Sequence, residues 1–311
     1  MGARIETAVV LTSHGVRKPN ARRLADTAAA ACLAQAGREP GEVDILINTG
    51  LYREDNLGEP ALAALVQEDI GASLGHPPVG GHGTFSFDLI NGTCGVINAI
   101  QIEAGLLRSG VVGLGAIVAS DVDPDLRGRG AALFRPAGGA MLLSWDDGAG
   151  GFTDYYTETF PEYAELFVSG LVWQQRRSRG RRAGGRRAGG RARMVVEEKP
   201  GYHDRLVDCA EESVRRFLDR AGMSIGDIDL LVPAPSYPDF CDPLRLRLGV
   251  PGDRVAYVPE DLEGAYTAGP IAALHAAIRS GRLGEARTTL MLAAGAGITV
   301  AIALYRQPGA R

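Results

Sequence analysis

One cysteine in this chain stands where pattern and chemistry meet. In Phe87-Asp88-Leu89-Ile90-Asn91-Gly92-Thr93-Cys94-Gly95-Val96-Ile97-Asn98-Ala99-Ile100, an extended apolar run from Phe85 to Ile90 meets a glycine-containing turn. An apolar-periodic segment then continues to Arg108-Ser109-Gly110. The pattern predicts strand, tight turn and helix, with Cys94 in the helix's first turn. Unpaired N–H groups and the positive end of the helix dipole lie there, and both favour a thiolate. The thiolate is the nucleophile, so the chemistry on offer is covalent. Taken alone, a small cysteine packed in a buried helix explains the residue at least as well.

The elements that must hold Cys94 read as alternating strands and helices. Thr7–Thr12 is a short β-rich run, and Asn20–Ala36 is an Ala-rich helix ended by Gly37. Glu42–Ile47 is a strand, Pro60–Ile70 a helix with proline near its start, and Val111–Ala119 a continuous apolar strand of the buried, parallel kind. Gly138–Leu143 closes the first half. The pattern then recurs. Ala36-Gly37, four residues, and Glu42–Ile47 are matched by Ala221-Gly222, four residues, and Asp227–Val232, at an offset of 185. Arg108-Ser109-Gly110 recurs as Arg279-Ser280-Gly281 at an offset of 171, which places Cys94 opposite Ala265. This predicts an internal duplication: residues 1–170 form the half with the cysteine, 171–200 an Arg/Gly-rich disordered linker, and 201–311 the second half. Helices starting at Cys94 and Ala265 should face a shared site across a pseudo-twofold.

Composition bounds the rest. The 311 residues are 45% apolar with a mean hydropathy of −0.02, enough for a large core. Cys32, Cys94, Cys209 and Cys241 lie far apart, with no CxxC and no histidine at ligand spacing, so neither a disulfide framework nor a metal site is expected. No signal peptide or myristoylation pattern is read at Met1–Glu6, and a cytoplasmic protein is expected. Thr288–Tyr305 carries no charge over 18 residues, but Gly295-Ala296-Gly297 divides it into two buried strands, so no membrane is expected. Nine of the 33 basic residues fall between Arg176 and Arg193, in a repetitive stretch with little apolar surface to bury. It reads as a solvated insertion, or as an arm for an acidic carrier protein or a CoA phosphate. No aromatics are interleaved for stacking on bases, so no nucleic acid is expected.

The duplication, the cysteine following Phe-Asp-Leu and the late glycine turn together resemble the thiolase superfamily, and more closely β-ketoacyl-acyl-carrier-protein synthase III. That family's Phe-Asp-(Leu/Ile)-x-x-x-Cys-x-Gly is similar to Phe87–Gly95, and Leu292–Ala303 resembles its final glycine turn. The resemblance covers roughly residues 20–145 and 203–306. It implies an α/β, thiolase-like five-layer αβαβα fold and a homodimer, or a heterodimer with a ketosynthase homologue. It implies no cofactor, with an acyl-CoA or acyl-carrier-protein thioester as substrate, and an oxyanion hole from the backbone N–H groups of Cys94 and Ala296.

The departures are specific. The family's His-Gln-Ala-Asn aligns with Ala234-Pro235-Ser236-Tyr237, so its histidine is Ala234 here. Its His-Gly-Asn-Thr aligns with Glu263-Gly264-Ala265-Tyr266, so its asparagine is Ala265. Decarboxylative condensation needs donors on the enolate oxygen, and losing one typically costs about 10²–10³ in rate. Glu263 and His82 are the candidate substitute bases. The expected function is an acyltransferase of specialised fatty-acyl or polyketide metabolism that loads Cys94 without condensing. The alternative is a catalytically silent partner of an active ketosynthase homologue.

Overall fold

The computed structural model describes residues 2–12, 19–54, 58–73, 83–123, 134–148, 150–175, 190–234, 237 and 239–309. The first half runs β1 (Gly2–Thr12), α1 (Ala21–Ala36), β2 (Ile45–Asn48), α2 (Leu62–Ile70), β3 (Phe85–Asp88), α3 (Gly95–Ser109), β4 (Leu114–Asp121) and β5 (Ala137–Asp146). The second runs β6 (Gly151–Thr159), β7 (Phe167–Gln175), β8 (Gly190–Glu198), α4 (Tyr202–Ala221), β9 (Leu230–Pro233), α5 (Cys241–Leu248), α6 (Gly269–Arg279), α7 (Arg282–Glu285), β10 (Thr288–Gly295) and β11 (Thr299–Arg306).

Among the described residues nine strands form one sheet in the order β3-β2-β4-β5-β1-β6-β11-β10-β9. Read outwards from the β1–β6 junction, the halves match strand for strand. Parallel β3–β2–β4 joins antiparallel β5 and β1 on one side, and parallel β9–β10 joins antiparallel β11 and β6 on the other. Where β3 pairs with β2, the second half has, among the described residues, a single parallel bridge from Leu231 to Val255.

Period-two alternation along the central strands explains the layers. On β10, Leu290, Leu292 and Ala294 face α4 and α5, whereas Met291 and Ala293 face α3 and α6. On β4, Leu114, Ala116 and Val118 face α1 and α2, whereas Ile117 and Ala119 face the same central helices. Three separate cores result, between five layers: α1/α2, sheet, α3/α6, sheet, α4/α5. Both faces of each half-sheet are covered, so these strands read as near-continuous apolar runs.

Two expected boundaries move. The division at residue 170 falls inside β7, and the sheet places the junction near Gly151, because β6 pairs along its length with β11. The stretch 171–200 holds more than a linker, since β7 and β8 pair from Phe167↔Glu198 to Gln175↔Gly190 as a separate two-stranded sheet. The segment expected to be disordered, Arg176–Arg193, thus overlaps β8 at its end, and 176–189 lies outside the described residues.

Candidate active site

The motif's aspartate is architectural. Asp88 at the end of β3 accepts from the N–H groups of Leu62 and Ala63, both at 2.8 Å, and from Asn48 Nδ2 at 3.1 Å, capping α2. The chain then reverses through Gly92 at φ +50°, a conformation few side chains accept. A 3-10 turn over Gly92–Cys94 leads into α3. This turn is clamped to the second half: Thr93 Oγ1 donates to Ala294 O at 2.6 Å. Cys94 Sγ lies 3.3 Å from Thr299 O and 3.6 Å from Ala293 O.

That clamp corrects two expectations. Cys94 is wholly buried, and burial pushes its thiol up to about 12, the Thr93 hydroxyl pulling weakly the other way. Carbonyl oxygens around Sγ favour the S–H form, so the helix terminus does not yield an accessible thiolate in this conformation. Burial pushes Cys32, Cys209 and Cys241 up to about 12 as well, so acidity does not single out Cys94. The N–H of Cys94, an expected oxyanion donor, is engaged by Asn91 O at 3.0 Å. The other, Ala296, is exposed on the β10–β11 turn. Gly295 is the residue against the cysteine, where a Cβ would stand 2.7 Å from Thr93 Oγ1 and 4.0 Å from Cys94 Sγ.

The second half repeats the turn in a different register from the expected one. Tyr266–Ala268 forms a 3-10 turn ahead of α6, and it packs on the Cys94 turn, as the predicted shared site requires. Tyr266 has φ 48°, like Gly92 at 50°; Ala268 has φ −78°, ψ −7°, like Cys94 at −78°, −15°; Gly269 at −52°, −47° matches Gly95 at −54°, −43°. The counterpart of Cys94 is therefore Ala268, and Ala265 matches Asn91. The helix ends still correspond, at Gly110 (φ 72°) and Gly281 (φ 75°). The difference is absorbed within the helices, since α3 has 15 residues and α6 has 11. Thr93-Cys94-Gly95 against Thr267-Ala268-Gly269 is the sequence signal that would have shown this.

The remaining predicted residues divide. Ala265 is buried at the start of the second turn, and buried Ala234 donates its N–H to Leu292 O at 2.7 Å, one residue from the carbonyl beside Cys94. Both alanines belong to the buried core that also holds Cys94, and they present only methyl groups. Glu263 is half-buried, and its charge acts on the Cys241 thiol. His82 lies outside the described residues. His275 is tied to Ala8 O at 2.8 Å, and His203 to Glu198 at 2.9 Å.

Asp121, Thr267, Tyr52 and Phe134 escaped the sequence reading. Buried Asp121, at the end of β4, accepts from the N–H groups of Leu51 (3.1 Å), Tyr52 (2.8 Å) and Thr267 (2.9 Å), and from the Thr267 hydroxyl. It staples the loop after β2 to the turn before α6. That staple sets the ring of Tyr52 against Phe134, at 4.6 Å and 12°, with Tyr266 at 5.4 Å from Tyr52 and 4.7 Å from Phe134. The Tyr266 hydroxyl lies beside Gly92. A cavity of about 310 Å³ opens on the loop that carries Tyr52, lined chiefly by Leu51, Arg53, Ile90, Leu171 and Met194.

This architecture is thiolase-like, and the chain resembles the ketosynthases of the synthase III type. The family model for the C-terminal part of 3-oxoacyl-[acyl-carrier-protein] synthase III matches residues 218–307. β-Ketoacyl-[acyl-carrier-protein] synthase III of Cereibacter sphaeroides is 26% identical over 287 residues, covering 88% of this chain and 80% of that protein. The Aquifex aeolicus synthase III is 26% identical over 291 residues, covering 91% and 83%. Among solved structures, synthase III (FabH) from Pseudomonas aeruginosa covers 100% of both chains, with a TM-score of 0.73 and 23% identity. A cysteine-to-serine OleA from Xanthomonas campestris, with bound lauric acid and lauroyl-CoA, covers 98% of this chain and 99% of its own, with a TM-score of 0.77 and 16% identity.

Proposed function

We propose that this chain is a synthase III-like acyltransferase that takes an acyl group from a CoA or carrier-protein thioester onto Cys94, in specialised fatty-acyl or polyketide metabolism, without decarboxylative condensation. One observation carries the reading: a cysteine at the start of α3 that shares one buried core with two alanines, Ala234 and Ala265. An enolate formed by loss of CO₂ needs donors at its oxygen, and a methyl group donates none. Acyl transfer asks for less. Cys94 Sγ attacks the thioester carbonyl, the C–S bond to the carrier breaks, and the cysteine proton leaves on the departing thiol. Acyl-Cys94 and a free thiol result. The apolar walls of the 310 Å³ cavity suit an acyl chain. Cys94 is closed off in this conformation, so acylation requires a local opening around the sulfur.

The sealing itself favours a second reading, a catalytically silent subunit that pairs with an active ketosynthase homologue. Intact-mass spectrometry after mixing with a panel of acyl-CoA and acyl-carrier thioesters separates the two. A mass gain of one acyl group, lost in Cys94→Ala, supports the transferase; no gain with any thioester supports the silent subunit. In either case malonyl decarboxylation should stay at background, and Ala234→His with Ala265→Asn restores the missing donors. Efficient β-ketoacyl product from the unaltered chain would refute both readings.

A further inference from the structure

The ring of Tyr266 is held in place against the preference of its own backbone. Tyr266 stands at φ 48°, one of two non-glycine residues with positive φ among the described residues, and such strain persists only where surrounding contacts impose it. Contacts on both sides impose it here. Thr267, the next residue, gives its N–H and its hydroxyl to buried Asp121. Two residues earlier, Gly264 O accepts from the Arg135 N–H at 3.0 Å, which brings Phe134 onto the Tyr266 ring, 4.7 Å between centroids. Tyr266 is only half-buried, so it is no core anchor. The ring so fixed belongs to a chain of contacts with two ends. On one side it packs on Tyr52, 5.4 Å between centroids, and Tyr52 lines the cavity of about 310 Å³ together with Leu51, Ile90, Leu171 and Met194. On the other its hydroxyl lies 3.4 Å from where a Cβ on Gly92 would stand, in the turn that ends at Cys94. Ile90 of the cavity wall is two residues before Gly92, so cavity and thiol are near neighbours along the chain.

We infer that Tyr266 is a specificity-determining residue, a gate whose ring divides the apolar cavity from Cys94 and selects against long acyl chains. This role rests on Cys94 being the acyl acceptor. A long chain bound at Cys94 and running into the cavity crosses the space the ring fills beside Gly92. The ring must then leave Gly92 and give up its packing on Phe134 and Tyr52. A short acyl group ends before the ring and leaves it in place. In an apolar site, one group too many discriminates by about 10- to 200-fold. Gly92 brings no side chain of its own, so removing the ring leaves an opening between the cavity and the cysteine turn.

The test compares two thiol reagents with the same reactive group on the full chain, iodoacetamide and N-dodecyl iodoacetamide, with Cys94 followed by peptide mass spectrometry. In the unaltered chain the long reagent should be the slower at Cys94. Tyr266→Gly removes the ring and suits the left-handed backbone, and it should narrow the difference between the two rates by about 10- to 200-fold. Tyr266→Phe keeps the ring and should keep the selectivity. Tyr52→Ala, on the cavity side, should shift the ratio in the same direction as Tyr266→Gly, circular dichroism showing the fold intact. Equal acceleration of both reagents in Tyr266→Gly and Tyr52→Ala would show that the rings only support the turn, and overturns the gate. An unshifted ratio in both variants overturns it too. Acyl-CoA thioesters of short and long chain, read by intact mass in the same variants, separate the gate from the transferase reading. A shifted alkylation ratio without loading keeps the gate and removes the transferase; loading of Cys94 with an unshifted ratio does the reverse.

Discussion

Gly295→Ala probes the clamp on Cys94 directly. Gly295 is not among the glycines with positive φ, so the outcome rests on space. The new methyl would stand 2.7 Å from Thr93 Oγ1, far inside contact distance, with the Thr93 backbone nitrogen at 3.8 Å and Cys94 Sγ at 4.0 Å. Thr93 must move, and its 2.6 Å bond to Ala294 O goes with it. Overpacking of about 1–3 kcal/mol and a hydrogen bond worth about 1 kcal/mol sum to a loss of about 2–4 kcal/mol. If the loss is local to the clamp, alkylation of Cys94 by iodoacetamide should accelerate roughly 30- to 1,000-fold. Cys32, packed between α1 and the sheet, should show little change. The assay is peptide mass spectrometry of alkylated cysteines over time, with urea unfolding in parallel. Thr93→Ala in the same chain removes the clashing hydroxyl, so the double variant should lose less than the sum of the singles. Unchanged stability together with unchanged Cys94 protection would refute the clamp. Equal acceleration of all four cysteines would show that Cys94 is reached only by global unfolding.

Asp121→Asn should cost about 2–4 kcal/mol, because an amide N–H₂ would then face donors from Thr267; the denaturant midpoint checks it, and lost stacking of Tyr52 should show in near-ultraviolet dichroism. Burial, then the neighbouring Asp69 carboxyl, pushes Asp26 up to about 7, from an ordinary 3.8. Between those values the unfolded chain is ionised while the folded one is protonated, so stability should fall as pH rises through the window and level off above it. Asp26→Asn should flatten that slope, stabilising the chain near pH 8 and changing little near pH 3, as thermal unfolding across pH would show. Removing 176–189 and joining β7 to β8 by a short turn should move the unfolding free energy by no more than about 0.5 kcal/mol.

Much of this molecule is legible in local pattern. Apolar runs and glycine caps mark α1, β2, α2, α3, β4, β10 and β11, because an element buried on both faces must be apolar along its whole length. The Phe87–Gly95 motif and the losses at Ala234 and Ala265 are matters of residue type, which neighbouring residues do not alter. β6 escaped because its face is only half-buried, and the β7–β8 ribbon because its exposed valines and tryptophan mimic no core period. Whether Cys94 is open or closed could not be read from its own surroundings at all. The carbonyls beside its sulfur come from Ala293 and Thr299, some two hundred residues away, and the ring of Tyr266 reaches Gly92 only because Asp121 staples two loops together. Such contacts arise when two halves pack face to face. The chain states what each half will be, and the packing decides what the thiol meets.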